Sequence, residues 1–335
     1  MITDAIKRLV AGAGLSEDES EALLAYIMEG KCTEAQIGAV LALLRRNGET
    51  PEEIAGFAKA MRAKALAVPF AGESMDLCGT GGDGKGTINI STAASFVVAA
   101  CGVTVAKHGN RAATSRSGGA DVLERLGLKL EAPPEKLARA LEDVGICFLF
   151  ARVFHPAMRF VAQARIDLGT RTIFNLLGPL TNPAAPRRQL LGVFSPEAAR
   201  LMAAALCRVG VARAWLVHGA GGVDEVSPAG PTRVWEVEGG RVRERVVAPA
   251  DFGLPVRALD LIRGGDAARN AEVMRAVLRG EESPAQEAVL MNAAAALFIA
   301  DRAADLKDGV ARAREAVASG AAAAKLARLI EYMAE

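Results

Sequence analysis

The sequence predicts an α/β protein with a mainly parallel central sheet flanked by helices, together with a smaller all-helical domain. The chain has 335 residues, more than one ordinary core holds, so about two domains are expected at roughly 150 residues each. Its first part shows only helical periodicity, and the remainder alternates short apolar runs with helical patterns. Hydrophobic residues make up 51% and charged residues 24% of the chain, which is typical of a globular protein with ample apolar surface to bury.

The charge balance and the cysteines argue against several classes of protein. The 40 Lys and Arg residues balance 39 Asp and Glu residues, so a net charge of +1 disfavours a surface built to bind nucleic acid or a membrane. The five cysteines form no Cys-x-x-Cys pair, and no histidine stands at metal-site spacing, which favours a cytoplasmic location. The N-terminus lacks the apolar run of an export signal. The uncharged run 87–106 contains polar residues and Gly102, so a buried helix followed by a buried strand is predicted there.

Three helix starts stand in the segment that ends near Leu66. Each is a capping box, in which Ser or Thr precedes Glu or Gln by three residues: Ser16 with Glu19, Thr33 with Gln36, and Thr50 with Glu53. Apolar residues follow each start at helical spacing, and Gly30 and Gly48 end the first two helices. This segment is predicted to be an all-helical unit, and no residue in it is a candidate for chemistry.

Beyond residue 72 the pattern changes to strands alternating with helices. The predicted strands are Met75–Cys78, Val103–Ala106, Ile146–Phe150, Gln189–Phe194, Ala214–His218 and Thr232–Val237. The predicted helices lie near Thr92–Cys101, Pro134–Val144, Pro196–Val209 and Pro284–Ala300, with an additional helical stretch at Pro156–Leu168 and a Gly- and Pro-rich segment at Gly178–Pro186. Because parallel sheets bind ligands at the carboxyl ends of their strands, the loops after these strands are the candidate sites.

The first predicted strand leads into the glycine-rich loop Gly79–Thr87, whose backbone N–H groups could surround an anion. A Walker loop is disfavoured because glycine follows Lys85, and a dinucleotide site is disfavoured because no acidic residue follows Asp83 until Asp121. The polar residues of Asn89–Thr92 could be ordinary helix caps. Next to a glycine loop they also present free N–H groups to an anion and a serine hydroxyl to a hard cation.

The second predicted strand leads to the basic loop Lys107–Arg111 and the hydroxyl- and glycine-rich run 112–121, in which Gly118 and Gly119 open another helix. A solvated basic face would explain Lys107 alone. Two phosphate-type loops after consecutive strands instead indicate a ligand with phosphates at both ends.

Two further candidates lie later in the chain. Asp224 and Glu225 end a glycine loop, and because adjacent carboxylates repel, they indicate either a Mg²⁺ site shared with substrate phosphates or an exposed acidic turn. Arg165 is predicted to share a helix face with Met158, Val161 and Ala162, where it either extends to solvent or binds a ligand carboxylate. The lone histidines His155 and His218 are predicted to be structural.

These segments, in this order, closely resemble the anthranilate phosphoribosyltransferase family of tryptophan biosynthesis over essentially the whole chain. The most specific parts are Gly79–Asp83 with Asn89–Thr92, Lys107–Arg111, His155–Met158, Arg171–Leu180, and Val217–Gly219 leading to Asp224–Glu225. The resemblance implies transfer of the 5-phosphoribosyl group from phosphoribosyl pyrophosphate to the amine of anthranilate. An aromatic amine is already nucleophilic, so no residue is assigned as a general acid or base.

The resemblance also implies the residues of the site. Phosphoribosyl pyrophosphate would contact Gly79, Gly82, Asp83, Thr87, Asn89, Ile90, Ser91, Thr92, Lys107, His108, Gly109, Asn110, Arg111, Ala112, Ala113, Thr114, Ser115 and Gly119. Anthranilate would contact Gly79, His108, Asn110, Arg165 and Gly178, near Pro179, through a tunnel past His155. Two Mg²⁺ ions per subunit would be held by Ser91, Asp224 and Glu225.

The resemblance implies a discontinuous helical domain, residues 1–68 rejoined by 155–187, beside an α/β domain of residues 69–154 and 188–335, with a homodimer formed through the helical part. Two positions depart from the family: Gly119 stands where Ser is usual, and Gly221 stands where Asp is common. A pyrimidine nucleoside phosphorylase is an alternative, but the first loop lacks its Lys-His-Ser pattern. A non-catalytic nucleic-acid-binding relative is a second alternative, and the charge balance and the retained acids disfavour it.

Overall fold

The structure is a computed structural model that describes residues 1–112 and 116–335. The helices are α1 Ile2–Val10, α2 Glu17–Met28, α3 Glu34–Asn47, α4 Pro51–Lys64, α5 Ile90–Ala100, α6 Gly119–Arg125, α7 Pro134–Asp143, α8 Ala151–Phe154, α9 Arg159–Leu168, α10 Phe174–Leu177, α11 Pro196–Val209, α12 Ala267–Leu278, α13 Pro284–Ile299, α14 Leu306–Ala318 and α15 Ala321–Ala334. The strands are β1 Met75–Gly79, β2 Val105–Gly109, β3 Ile146–Phe150, β4 Arg188–Gly192, β5 Arg213–Gly219, β6 Thr232–Glu238 and β7 Arg241–Val247.

The described strands form one sheet in the order β3-β2-β1-β4-β5-β6-β7. Strands β1 to β5 pair in parallel, and β6 and β7 pair antiparallel at one edge, so the predicted α/β class with a mainly parallel sheet is confirmed. The chain leaves β1 in one direction to β2 and β3 and returns on its other side at β4. A crevice therefore opens between the carboxyl ends of β1 and β4, where ligands bind to sheets of this topology.

The N-terminal helices form a bundle with the predicted caps. The side chains of Ser16, Thr33 and Thr50 each accept a hydrogen bond from the backbone N–H three residues on, and the side-chain oxygen of the partner Glu or Gln accepts one from the backbone N–H of the cap residue. Helix α9 packs against α2 and α3, and α10 packs against α4, so the helical stretch between β3 and β4 meets the N-terminal bundle. Val161 and Leu177 are buried in the same apolar cluster as Leu24 of α2.

The run 87–106 folds as predicted into the buried helix α5 and the start of the buried strand β2. No helix in the described part of the chain is long and apolar enough to cross a membrane. A second cluster of buried side chains includes residues of α5, α13 and strands β1, β2 and β3.

Several boundaries differ from the sequence-based prediction. Strand β2 begins at Val105 and extends to Gly109, because Lys107, His108 and Gly109 continue the ladder with β3. Strand β4 covers Arg188–Gly192 and stops short of the predicted end at Phe194. Strand β7 was not predicted, because all of its residues except Val247 are exposed and show no apolar alternation. Helices α12, α14 and α15 were also not predicted.

Candidate active site

The site is assembled at the switch point between β1 and β4. Gly79 and Gly192 end these strands and stand opposite each other in the ladder. A Cβ atom on Gly192 would lie only 1.5 Å from the backbone oxygen of Asp224, so the absence of a side chain there lets the acidic turn approach the sheet. The close packing at Gly192 brings Asp224 beside the glycine loop.

Contacts from three directions hold the glycine loop that follows β1. Thr80 N donates to Gly192 O at 2.9 Å, and its hydroxyl accepts from Phe194 N at 3.1 Å. Gly81 N donates to Asp224 Oδ2 at 2.9 Å. On the third side, the guanidinium of Arg171 donates to Gly82 O. The loop is therefore preorganised by groups outside it.

The acid pair faces the two predicted anion-binding elements. Asp224 accepts from the glycine loop, and Glu225 Oε1 accepts from Ser91 N at 3.0 Å, in the first turn of α5. Asp83 Oδ2 in turn accepts from Asp224 N at 3.4 Å. The structure thus brings together Asp83, Ser91, Asp224 and Glu225, which the sequence placed in three separate segments.

The surroundings of the acid pair disfavour its negatively charged form. Both residues keep some exposed surface, but protein atoms surround their carboxyl groups. Burial raises the pKa of Asp224 well above its ordinary value, and repulsion from Glu225 and Asp83 raises it further. Burial also raises the pKa of Glu225 to about 7, against hydrogen bonds from Ser91 that lower it. A bound cation would remove this penalty, and oxygen ligands suit Mg²⁺.

The described residues contain no group of three or more His, Cys, Asp or Glu side chains that is arranged to hold a metal ion. In phosphate-handling enzymes Mg²⁺ is commonly bound by one or two carboxylates, together with oxygens of the substrate. Asp224, Glu225 and the Ser91 hydroxyl are oxygen donors of that kind.

The basic loop differs from its prediction. Lys107 is only 4% exposed, and its ammonium group donates to Leu77 O inside the sheet, so it is not part of a solvated face. His108 is also buried, and burial together with the nearby His155 lowers its pKa to about 3, which leaves the imidazole neutral. Two of the three basic groups are therefore turned inward or uncharged. The cause is that β2 extends through both residues and pairs them with β3.

The third basic group, Arg111, is paired with the helix that follows. It binds Asp121 at 2.9 Å and Glu124 at 2.7 Å. Asp121 Oδ2 also accepts from Ala112 N at 3.0 Å and Gly118 N at 2.9 Å. Burial raises the pKa of Asp121, but these backbone hydrogen bonds outweigh that effect, and the net pKa is lowered. The loop between β2 and α6, residues 110–118, is called the second loop below. The carboxylate of Asp121 thus contacts Ala112 and Gly118, on either side of the undescribed residues of this loop.

A buried polar group lies beneath the second loop. Asp76 of β1 is fully buried and accepts from His108 N at 3.1 Å and from Asn182 Nδ2 at 2.8 Å. Asn182 Nδ2 also donates to Ala106 O at 2.8 Å. Through Asp76, strands β1 and β2 and the segment after α10 are held in one arrangement.

The helical stretch places Arg165 over the ring of Phe174, with its guanidinium carbon 5.2 Å from the ring centroid. Arg165 is half-buried, burial lowers its pKa, and it makes no hydrogen bond or ion pair with any residue in 1–112 or 116–335. The predicted apolar face is partly wrong, because Ala162 is exposed and Ala164 lies on the buried side with Val161. The guanidinium is nevertheless free to receive an anionic group.

The rings of His108 and His155 are tilted by 59° with their centroids 5.4 Å apart, and His108 Nδ1 lies 3.2 Å from Gly178 O. Burial lowers the pKa of His155 to about 4. The Nε2 atoms of both rings are buried without a hydrogen-bond partner among the described residues. The structure therefore joins His108 to Gly178 and places His155 beside His108.

The remaining predicted residues are distributed as follows. Thr87, Asn89, Ile90 and Thr92 lie at or next to the N-terminus of α5, whereas Gly109 ends β2, and Asn110 and Ala112 lie along the second loop. Asn89 occupies the cap position, but its side chain makes no capping bond and turns to Ser117 O and Asn270 instead. The predicted residues Ala113, Thr114 and Ser115 lie outside the described residues.

The two departures from the family have different surroundings. A Cβ atom on Gly119 would lie 2.8 Å from Thr92 Oγ1, so a Ser there requires the threonine hydroxyl to move. Gly221 has φ of +83°, and a Cβ atom on it would lie 2.2 Å from Leu259 Cδ1. An Asp at 221 would therefore be strained and would collide with Leu259.

Sequence reasoning gave no role to Asp76, Asp121, Arg171 or Asn182, which hold the loops in place. Asp121 had a local signal, since it stands at the third position of a helix that begins after Gly118. Arg171 and Asn182 stand far from their partners along the chain, and no local pattern indicates such contacts.

Two family models match the chain. One, described as the helical bundle domain of a glycosyl transferase family, covers residues 3–65, and the other, the a/b domain of that family, covers residues 71–323. Together they define the class of protein as a glycosyl transferase with a helical bundle beside an α/β unit.

Relatives narrow this class. The anthranilate phosphoribosyltransferase of Rubrobacter xylanophilus is 51% identical, over 98% of this chain and 97% of its own. The crystal structure of the Thermus thermophilus enzyme of that name has a TM-score of 0.94 at 47% identity, covering 99% of this chain and all of the other. The Saccharomyces cerevisiae enzyme, solved with phosphoribosyl pyrophosphate and Mg, has a TM-score of 0.92 at 30% identity, covering 99% of this chain and 98% of the other. The chain belongs to the anthranilate phosphoribosyltransferase family, and these relatives support neither alternative.

Proposed function

We propose that this protein transfers the 5-phosphoribosyl group of phosphoribosyl pyrophosphate to the amine of anthranilate, which gives N-(5-phosphoribosyl)anthranilate and pyrophosphate in tryptophan biosynthesis. The observation that carries the proposal is the meeting of a buried acid pair with two anion-binding elements. Asp224 and Glu225 accept from the glycine loop and from the first turn of α5. Because carboxylates and phosphates repel each other, a phosphorylated ligand at this place needs a cation between them. A phosphorylated sugar with bound Mg²⁺ supplies the phosphates and the cation.

We assign the diphosphate to the N–H groups of the glycine loop and the first turn of α5, between Asp83 and Asn89. The second loop, through Asn110 and Arg111, closes the phosphoribosyl end. Ser91, Asp224 and Glu225 are the proposed ligands of two Mg²⁺ ions per subunit, and bound Mg²⁺ supplies charge neutralisation for the leaving pyrophosphate. The support is the oxygen character of these groups and the raised pKa of both acids.

In the proposed reaction the bond from ribose C1 to the pyrophosphate oxygen breaks, and a bond from C1 to the anthranilate nitrogen forms. The leaving pyrophosphate oxygen takes the electron pair of the broken bond, and the proton that the nitrogen loses passes to solvent. The loop N–H groups stabilise the charge that develops on pyrophosphate. Arg165 holds the anthranilate carboxylate and thereby aligns the amine with C1, so positioning contributes much of the acceleration.

The anthranilate assignment is supported by the neutral histidine pair and by the guanidinium of Arg165, which has no ion-pair partner in the described part of the chain. A planar guanidinium binds a carboxylate through two parallel hydrogen bonds. His108 and His155 supply an uncharged aromatic surface beside Gly178, which suits the benzene ring of the acceptor.

We also propose a discontinuous helical domain, residues 1–68 with 155–187, beside an α/β domain of residues 69–154 and 188–335. The packing of α9 on α2 and α3 supports this division. A homodimer formed through the helical domain and a cytoplasmic location complete the proposal. Sedimentation of the purified protein would report the dimer.

The direct test mixes the protein with anthranilate, phosphoribosyl pyrophosphate and Mg²⁺ and follows anthranilate fluorescence. We expect fluorescence to fall only when all components are present, with omission of each substrate as the control. Unchanged fluorescence in the complete mixture would reject the proposed function.

Arg165→Ala tests the acceptor site within the same assay. Loss of a charged bidentate contact of roughly 1.5–3 kcal/mol should raise KM for anthranilate by about ten- to a hundredfold. KM for phosphoribosyl pyrophosphate should change less than about threefold. Arg159→Ala, on the same helix but stacked on Phe160, is the matched control and should leave both constants near the parent values. Equal losses for both substrates would reject the carboxylate role of Arg165.

A further inference from the structure

The residues that precede helix α12, 262–265, contact the end of the glycine loop, although they lie far from that loop in sequence. Gly264 N donates to Gly86 O at 2.8 Å, and Ile88 N donates to Ile262 O at 3.1 Å. A Cβ atom on Gly264 would lie 2.7 Å from Thr87 O. The backbone at 262–264 therefore closes tightly on the residues that lead into α5.

One side chain of α12 extends this contact toward the site. Asn270 is only 3% exposed, and its Oδ1 accepts from Gly265 N at 2.8 Å. Its Nδ2 donates to Asn89 Oδ1 at 2.9 Å, and Asn89 Nδ2 donates to Ser117 O at 3.2 Å. Two amides thus bridge the start of α12 and the end of the second loop.

The orientation of both amides is forced by the ends of this bridge. Gly265 N–H can only donate, so Asn270 must present its oxygen to it and its nitrogen to Asn89. Ser117 O can only accept, so Asn89 must present its nitrogen there and its oxygen to Asn270. Neither amide can turn over without breaking two hydrogen bonds.

We propose that Asn270 is a positioning residue for phosphoribosyl pyrophosphate, acting through Asn89. It fixes the amide of Asn89 at the start of α5 and thereby sets the distance between the two phosphate loops. The inference rests on the proposed function for the identity of the ligand. Asn270 itself touches neither substrate.

Asn270→Asp is the test, because Asp has nearly the same shape as Asn but replaces the amide donor that faces Asn89 with an acceptor oxygen. The acid still accepts from Gly265 N–H but turns an oxygen toward Asn89 Oδ1. Asn89 must turn over and then opposes Ser117 O with an oxygen. We expect KM for phosphoribosyl pyrophosphate to rise about tenfold, while kcat and KM for anthranilate change less than about twofold. The rise in melting temperature that phosphoribosyl pyrophosphate with Mg²⁺ produces should shrink in parallel.

A double-mutant cycle with Asn89→Ala separates positioning from general support of the fold. If Asn270 acts through Asn89, Asn270→Asp should raise KM less than about twofold further in the Asn89→Ala background. An equal effect in both backgrounds, or no effect on KM in the parent, overturns the proposal. Asn47→Asp is the matched control, because Asn47 Nδ2 donates to Leu9 O at 2.8 Å in the distant bundle. It should leave KM for phosphoribosyl pyrophosphate unchanged.

Folding and function are kept distinguishable. If Asn270→Asp does not fold, Asn270→Ser, which leaves room for water, enters the same cycle. Failure of both to fold while Asn89→Ala folds overturns the proposal, because Asn270 is then needed by the core and not by Asn89. If the parent protein shows no phosphoribosyl transfer, only the proposed function is rejected. The role of Asn270 is then still tested by the rise in melting temperature that phosphoribosyl pyrophosphate produces.

Discussion

The two candidate phosphate loops are held in place by different kinds of contact. The loop after β1 is bound at Gly81 by Asp224, 143 positions along the chain. The loop after β2 is bound at Ala112 by Asp121, only nine positions on, in the helix that follows directly. The first loop therefore takes its shape only when both halves of the sheet are folded, whereas the second forms with its own helix.

The comparison also concerns charge. Asp224, which contacts the first loop, and the adjacent Glu225 have raised pKa values, so their charged forms are unfavourable until a cation compensates them. Asp121, which holds the second loop, has a lowered pKa because backbone N–H groups stabilise its charge. We infer that the electrostatics of the first loop change on ligand binding, whereas Ala112 and Gly118, which flank the undescribed residues of the second loop, are held by Asp121 without a ligand.

The largest expected effect comes from the acids at the first loop. Asp224→Asn with Glu225→Gln keeps amide oxygens for Gly81 N and Ser91 N but removes both charges. We expect Mg²⁺-dependent turnover to fall by at least about a hundredfold, since removal of one preorganised electrostatic group from an active site commonly lowers kcat by about that factor. Initial rates across a Mg²⁺ titration measure it. The matched control is Glu281→Gln with Glu282→Gln, a pair of exposed acids that are adjacent in sequence. An unaltered Mg²⁺ titration in the 224/225 variant would exclude Asp224 and Glu225 as metal ligands.

A smaller effect is expected at the second loop. In Asp121→Asn the amide oxygen can still accept from Ala112 N and Gly118 N, but the amide nitrogen faces Arg111 and releases it. We expect KM for phosphoribosyl pyrophosphate to rise about five- to tenfold, because Arg111 then keeps only its exposed partner Glu124. Glu124→Gln, which removes an exposed partner of the same arginine, should change KM less than about twofold. Similar increases in both variants would mean that surface charge, and not Asp121, holds this loop.

The smallest effect is a pH dependence of stability in metal-free buffer. The pKa of Glu225 is about 7 in the folded protein and has its ordinary value of 4.5 in the unfolded chain. The folded state therefore binds the proton of this carboxyl group more tightly than the unfolded state does. The associated stability is present below pH 4.5 and is lost as pH rises through about 7. Glu225→Gln removes this loss. The melting temperature of the variant minus that of the parent should therefore be about 2–4 °C larger at pH 8 than at pH 5. A difference that stays constant, or that moves the other way, contradicts the raised pKa.

The helices of the bundle could be predicted residue by residue because their signals are local. Ser16 with Glu19 and Thr50 with Glu53 make the expected reciprocal bonds within four residues of chain. The buried helix α5 was likewise evident from its composition. By contrast, β7 was missed, because a strand at the edge of a sheet needs no apolar face and leaves no periodic signal.

The loops of the site could be located from sequence, but the directions of their side chains could not. Lys107 and His108 look like part of an exposed basic loop, yet the ladder to β3 continues through them and turns them inward. Arg165 was a candidate in both descriptions, although the helix face predicted for it included the exposed Ala162. A shift of one or two residues in a strand end or a helix face is enough to change what a side chain meets.

The sequence by itself determined the class of the fold, the capped helices, the two glycine-bearing loops and the acid pair, because each depends on neighbouring residues and their spacing. Only the tertiary structure decided that Asp224 meets Gly81, that Glu225 meets Ser91 and that Asn270 meets Asn89. These partners are 134 to 181 positions apart in sequence. Their contact follows from the order of strands in the sheet and the close approach that Gly192 permits, and neither is encoded in any local stretch of chain.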